Sequence, residues 1–375
     1  MSLPVTEALV AASNVYTWEP PNRVIAARYG LAPGDILRFD TNTSPASPAF
    51  LAEALRGPWD PPLNEYPDST YAELAEAAAA YVGADPSEIL VGCGADEVLD
   101  VIAKTFLAPG SGSLVPTPTY GMYAVLASQR DARPLAVPRL GAADSFAIDL
   151  PAVLERLPAA AVAWLCAPNN PTGAPEAAET IEAILDAAAR LPGGGPAIVV
   201  DEAYIEFHPG SLAAWRARYP ELIIVRTLSK AFALPGLRVG YAVAVRPTIA
   251  RLERLRPPGS VSTVSATFAA AALRRPELAA ANAALLGAER DWLAGAMAAM
   301  GLPPYPSVTN FLLVCFGDDG AAEAAEEHLL RRGIVPRTFG PGHALRGHLR
   351  FTVRDRAQDE RLVAALAAWM DGRTA

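Results

Sequence analysis

Short apolar runs alternate with helix-patterned segments between residues 72 and 245, and this alternation restricts the fold more than any other feature of the chain. Six runs read as strands: "EILVGCG" (88–94), "GSLVP" (112–116), "AVAWLCAP" (161–168), "AIVVDEAY" (197–204), "LIIVRTLSK" (222–230) and "VGYAVAV" (239–245). They are too continuously apolar to have one face in water. Strands buried on both faces belong to mostly parallel sheets covered by crossover helices. The intervening segments supply those helices. In "ADEVLDVIAKTFL" (95–107), for example, Val98, Val101, Ile102, Thr105 and Phe106 share one helical face.

Beyond residue 255 the texture changes. The Ala-rich stretch 263–300 predicts long helices, and "TNFLLVCFG" (309–317) and "HLRFTVR" (348–354) predict strands. The helical patterns "AAEAAEEHLLRRG" (321–333) and "DERLVAALAAWM" (359–370) complete a second, smaller α+β domain. The expected organisation is an N-terminal arm over 1–35 that joins the small domain, a large α/β domain over 36–255, and a small C-terminal domain over 256–375.

Composition narrows the function classes. A net charge of −9 with no basic tail argues against general nucleic-acid or anionic-membrane binding. No apolar run approaches the roughly 18 residues of a membrane span. The N-terminal stretch lacks the basic start and long apolar centre of a secretory signal. Cys93, Cys166 and Cys315 are odd in number and follow no metal-site spacing, so they are expected to be buried small hydrophobes in a reducing cytoplasm, and no metal is expected.

In an open parallel sheet, ligands bind beyond the carboxyl ends of the strands. Four strands here deliver polar residues at that end. They are Gly94-Ala95-Asp96, Asn169-Asn170, Asp201 with Tyr204, and Arg226-Thr227-Leu228-Ser229-Lys230. Each alone reads as a cap or a turn. Together they bring an acid, an amide, a tyrosine and a lysine to one edge.

The motifs "YPDSTYAEL" (66–74), "GADEVLD" (94–100), "PTYGMY" (118–123), "APNNPTG" (167–173), "DEAYIEF" (201–207), "RTLSKAFALPGLRVGY" (226–241) and "LRFTV" (349–353) together resemble the fold-type-I pyridoxal-phosphate aminotransferases, and within them the histidinol-phosphate aminotransferase family. The resemblance implies a large domain with a seven-stranded, mostly parallel sheet between helices, plus the smaller domain. It implies pyridoxal 5′-phosphate as cofactor and a cytoplasmic homodimer with shared active sites. It also assigns roles. Lys230 would form the Schiff base and shuttle a proton, which a lysine with a depressed pKa suits. Asp201 would pair with the pyridine nitrogen. Tyr204 and Asn170 would hold the phenolic oxygen, while Asn169 serves the turn.

For the cofactor's phosphate, Ala95 and Asp96 would offer backbone amides at a helix start, with no charge role for the Asp96 carboxylate. Thr227 and Ser229 would add hydroxyls and Arg238 a guanidinium, with Gly236 letting the backbone come close. Tyr120 would stack on the cofactor ring, and Tyr66 would reach the partner subunit's phosphate. Arg350 would grip the substrate carboxylate and Arg337 the substrate phosphate, with Tyr16 closing over both. Two departures stand near this pocket. "NTSP" (42–45) replaces the family's "NENP", and Arg354 stands where glycine is common.

The implied reaction transfers an amino group between histidinol phosphate and 2-oxoglutarate in a ping-pong cycle. An aromatic-amino-acid aminotransferase and a phosphothreonine decarboxylase remain alternatives on the same scaffold. A transcriptional regulator built on this core would need a further DNA-binding domain, for which the chain has no room.

Overall fold

The computed structural model describes residues 18–45 and 61–374. Its central sheet has seven strands: β2 (Ile89–Gly92), β3 (Gly112–Thr117), β4 (Arg133–Pro138), β5 (Ala160–Cys166), β6 (Ala197–Asp201), β7 (Leu222–Thr227) and β8 (Gly240–Val243). Their spatial order is β2-β8-β7-β6-β5-β3-β4. Only β8 runs antiparallel to its neighbours β2 and β7. The expected six strands are all present. The seventh, β4, was not legible as a strand because Pro134 and Pro138 interrupt it and its residues alternate exposed and buried. It lies at the sheet edge, where proline costs no ladder hydrogen bond.

Both faces of the sheet are dry, as the continuous apolar runs require. One face packs Leu114, Leu165, Ile198 and Ile224 against the helices Ala72–Val82 and Ala178–Ala189. The other packs Val115, Trp164, Val199 and Val225 against the helix Gly94–Phe106. The first core extends through the helix Thr263–Leu273 to Ala279.

A second core gathers the long helix Pro276–Ala299, the helices Asp319–Leu330 and Arg356–Thr374, and the antiparallel pair β9 (Phe311–Cys315) and β11 (His348–Thr352). The two-residue strands β1 (Leu37–Arg38) and β10 (Ile334–Val335) pair in parallel beside it. Residues just after β1 therefore stand between the two cores. Of the three cysteines expected to be buried, Cys166 is, Cys93 is half-buried and Cys315 is exposed. The last sits at the end of β9, where the alternation of the strand turns it outward.

Candidate active site

A cleft of about 470 Å³ opens at the carboxyl ends of β2, β5, β6 and β7, closed from the other side by residues 40–43, Arg337 and Arg350. Ala95, Asp96, Tyr120, Asn170, Asp201, Tyr204, Thr227, Ser229, Lys230 and Arg238 all line it. Of the remaining expected site residues, Tyr66 does not line this cleft and is 92% exposed on the surface, and Tyr16 lies outside the described residues.

Lys230 sits three residues beyond the end of β7. The loop folds on itself there, with Ala233 N–H donating to the Lys230 carbonyl and Leu234 N–H to that of Leu228, both at 3.0 Å. The amine donates to the Thr41 carbonyl at 3.4 Å and lies 5.6 Å from the Tyr204 ring centre. Burial, and next the positive charge of Arg350, lower its pKa to about 8. About a tenth of the amine is thus neutral at pH 7, far more than for an ordinary lysine, as a nucleophilic amine and general base needs.

Asp201 ends β6 and is raised to about 6, chiefly by burial. The Tyr123 hydroxyl donates to its Oδ2 at 2.7 Å and Ala203 N–H to its Oδ1 at 3.1 Å. It makes no ion pair within 4.0 Å among the described residues. Its neighbour Glu202 points the opposite way, into a buried set with Arg226, at 2.7 Å from Arg226 Nε. Glu206 adds a second carboxylate at 2.9 Å from Arg226 Nη1. This charged network underlies the adjoining ends of β6 and β7.

The helix Gly94–Phe106 starts at the cleft, and its first backbone amides have no partner within the helix. Next to them stand the Thr227 and Ser229 hydroxyls, 2.9 Å apart, and the Arg238 guanidinium. Asp96 also has a side-chain role that its sequence context did not reveal. It accepts from the Tyr120 hydroxyl at 2.9 Å and stands 3.6 Å from Arg238 Nη2. Asp96 and Arg238 are both about half exposed, so their pairing is weak and leaves the guanidinium able to take an anion. Gly236 does not provide the close approach, because a Cβ there would meet nothing within 4 Å. Gly94 and Gly240 provide it instead. A Cβ on Gly94 would come 2.7 Å from Arg238 Nη2, and one on Gly240 2.5 Å from Ala95 N.

Arg337 and Arg350 exchange both backbone hydrogen bonds at 3.0 Å across an antiparallel bridge, so their side chains leave on one face, into the cleft. Like charges placed opposite each other are unfavourable unless an anion comes between them. Arg350 donates to Asn170 Oδ1 and the Asp40 carbonyl, each at 2.5 Å. Arg337 stands 3.6 Å from Glu19. Asn169, by contrast, spends its amide inside the turn, on Pro118 O and Thr172 Oγ1.

Sequence reasoning missed several contributors. Tyr123 was legible only as part of a motif, yet its hydroxyl holds Asp201 while its ring stacks 5.5 Å from Trp164. Asn42 is 2% exposed, has a φ of 54° and donates to the Tyr204 hydroxyl at 3.0 Å. Arg354 donates to the Thr43 carbonyl at 3.2 Å, so the two departures from the family pattern touch each other. The signal available in the sequence was the pair of departures themselves, "NTSP" and Arg354.

Comparison with known proteins bears on this geometry. The family model described as aminotransferase class I and II matches residues 31–366. The chain belongs to this family. It is 37% identical over 343 residues to a histidinol-phosphate aminotransferase of Roseiflexus castenholzii, covering 89% of this chain and 90% of that one. The same identity holds over 312 residues with the Shigella dysenteriae protein of that name, covering 82% and 85%. The structure of the Sinorhizobium meliloti histidinol-phosphate aminotransferase in complex with pyridoxal 5′-phosphate superposes with a TM-score of 0.87 at 25% identity, over 99% of both chains. A Thermus thermophilus aspartate aminotransferase double mutant shares the fold, with a TM-score of 0.82 at 22% identity over 96% and 98%.

This aminotransferase therefore depends on pyridoxal 5′-phosphate. The residues present fit that group. Asp201 is a buried carboxylate with hydrogen bonds on its interior side and no cation within 4.0 Å among the described residues, a contact that a protonated ring nitrogen would supply. The glycines at 94 and 240 leave the amides of the helix start open to a phosphate.

Proposed function

We propose that the protein transfers an amino group between histidinol phosphate and 2-oxoglutarate, as a cytoplasmic homodimer in histidine biosynthesis. The observation that carries this reading is the backbone bridge between Arg337 and Arg350, which brings both arginine side chains to the cleft. Histidinol phosphate brings a phosphate and no α-carboxylate, whereas 2-oxoglutarate brings two carboxylates. A guanidinium fork accepts either anion. In this reading Arg350 takes the carboxylate of the oxo acid, and Arg337 takes the phosphate of one substrate or the distal carboxylate of the other.

The cofactor, when bound, supplies an electron-withdrawing ring that accepts the electron pair left at the substrate carbon on proton removal. The chain's own residues do the rest. Lys230 would hold the cofactor covalently, and its amine, with a pKa lowered to about 8, would carry the proton taken from the substrate carbon. Asp201 would pair with the ring nitrogen and keep it protonated, and Tyr123 keeps Asp201 in place. Tyr204 and Asn170 direct hydrogen bonds at the ring oxygen. The amides of Ala95 and Asp96, the hydroxyls of Thr227 and Ser229, and Arg238 would hold the phosphate, and Tyr120 would cover the ring. Tyr66, a large aromatic 92% exposed on its own subunit, completes the partner's phosphate site. The three free cysteines support a reducing compartment, and no helix among the described residues is long and apolar enough to cross a membrane.

The deciding measurement is a comparison of histidinol phosphate with histidinol. Losing a desolvated charged contact costs about 2–5 kcal/mol, so wild type should prefer the phosphorylated substrate by roughly a hundredfold or more in kcat/KM. Arg337→Ala should erase most of that preference while leaving cofactor binding intact. Equal rates with and without the phosphate, together with good turnover of phenylalanine, would turn the assignment to an aromatic aminotransferase.

A further inference from the structure

We infer that Asn42 is a positioning residue that fixes the hydrogen-bond direction of Tyr204, so that the tyrosine's own proton is left for the cofactor.

Asn42 stands in the short strip between β1 and the cleft, and every polar group it has is committed. Its backbone N–H donates to Thr352 Oγ1 at 2.8 Å, its carbonyl accepts from Asn310 Nδ2 at 3.0 Å, and its side-chain Oδ1 stands 3.2 Å from Thr352 Oγ1, whose one proton it shares with the Phe39 carbonyl at 2.8 Å. Thr352 and Asn310 are themselves fully buried in the β9–β11 layer. With Oδ1 turned to Thr352, the amide's Nδ2 faces the Tyr204 hydroxyl at 3.0 Å. A hydroxyl that accepts from an amide keeps its single proton free to donate elsewhere. Tyr204 is 3% exposed and its ring is wedged edge-on against Phe311 at 5.2 Å, so the free direction of its hydroxyl is the cleft. The charged and titratable groups around that hydroxyl are Arg350, Lys230, Asp201 and Cys166. None of them makes a hydrogen bond to it in place of Asn42.

The neighbouring residue strengthens the case. The carbonyl of Thr41 takes the Lys230 amine at 3.4 Å. One dipeptide, anchored in the second core, therefore holds two reacting groups that belong to the first. The left-handed backbone at Asn42, φ 54°, is what lets residues 41 and 42 aim these contacts together, and asparagine tolerates that conformation where most residues do not.

The inference rests on the reading that Tyr204 donates to the cofactor's ring oxygen, so the experiment separates the two. The holoenzyme's absorbance is titrated with pH in wild type and in Asn42→Gly, Asn42→Asp, Tyr204→Phe and the double variant Asn42→Gly/Tyr204→Phe. Glycine keeps the left-handed backbone and removes only the amide, and aspartate keeps the shape and removes the donor. A hydrogen bond to the charged ring oxygen favours the deprotonated form, so weakening it should raise the midpoint. The expected rise is about 0.5–1 pH unit in each Asn42 variant, and a larger one in Tyr204→Phe. Asn42→Gly should add nothing in the Tyr204→Phe background, because it acts through that hydroxyl. Thr352→Val should reproduce the shift and Thr352→Ser should not. An unmoved midpoint in Asn42→Gly, or a shift that persists in full without the tyrosine hydroxyl, overturns the inference alone. An unmoved midpoint in Tyr204→Phe removes the Tyr204 assignment and the inference with it.

Discussion

The Tyr123 hydroxyl donates to Asp201 Oδ2 at 2.7 Å from the buried side of the sheet, and among the described residues no cation comes within 4.0 Å of the carboxylate, Lys230 acting on it only from across the cleft. Without its cofactor the protein carries a charge it has buried but not neutralised. Such an arrangement costs stability in the empty protein and returns it when a cationic ring binds.

The first prediction follows from that cost. A carboxylate raised from 3.8 to about 6 in the folded state binds its proton more tightly folded than unfolded. Stability is therefore lost as pH rises from about 4 through about 6, and the loss is complete above that range. At about 1.4 kcal/mol per pH unit the whole effect is on the order of 3 kcal/mol. Cofactor-free Asp201→Asn should melt above cofactor-free wild type at pH 7, and the gap should close near pH 4. Adding pyridoxal phosphate should reverse the order at pH 7. Thermal melts that show the variant no more stable at any pH would contradict the burial cost.

Lys230 gives the second. With its pKa lowered to about 8, by burial first and by Arg350 next, the amine becomes neutral as pH rises through about 8. In the cofactor-free enzyme its acylation by an amine-selective reagent, followed by mass spectrometry of the Lys230 peptide, should rise with that midpoint. Arg350→Met removes a positive charge and should move the midpoint upward. A midpoint near 10 in wild type would mean that the cleft does not desolvate the amine.

The sheet and the cleft's sheet-side wall were legible because both follow from local rules: continuous apolar strands, and polar residues at their ends. Lys230, Asp201 and Asn170 could be read from their place after a strand. The wall made by residues 40–43 could not, because Asn42 owes its position to Thr352 and Asn310, some 270 to 310 residues away in sequence. Gly236 misled for the opposite reason. A glycine two residues before an arginine suggests crowding, but only the packing of β8 on the helix start shows that the crowded glycines are Gly94 and Gly240. Tyr123 was hidden by its chemistry, since an aromatic in a helix reads as core and its hydroxyl's partner comes from another element.

That distinction makes a third prediction. A methyl group on Gly240 would meet Ala95 N and Gly94 C, both at 2.5 Å, and backbone cannot swing aside as a side chain can. Gly240→Ala should cost about 1–3 kcal/mol and weaken cofactor binding by shifting the amides of the helix start. Gly236→Ala places its methyl in open space and should stay within about 0.5 kcal/mol of wild type. Denaturant unfolding and cofactor titration of the pair measure both effects. Equal tolerance of the two substitutions would mean that the phosphate cradle does not depend on this contact.

The fourth concerns assembly. Tyr66 is 92% exposed and Leu63 58% exposed on one surface segment, while the cleft of the same chain lacks both. If Tyr66 serves the partner subunit's cofactor phosphate, two chains disabled at different positions should repair each other. Lys230→Ala leaves a chain with a working Tyr66, and Tyr66→Phe leaves one with a working Lys230. In the mixed dimer one of the two sites then receives both wild-type residues. Random exchange at equal amounts makes about half of the dimers mixed, so roughly a quarter of wild-type activity should return. Tyr66→Phe must first prove severely impaired by itself, with the hydroxyl's loss visible as weaker cofactor retention. Native mass spectrometry fixes the fraction of mixed dimers, and activity is read on the same sample. Verified exchange with no recovered activity would assign each site to a single chain and leave Tyr66 as a surface residue.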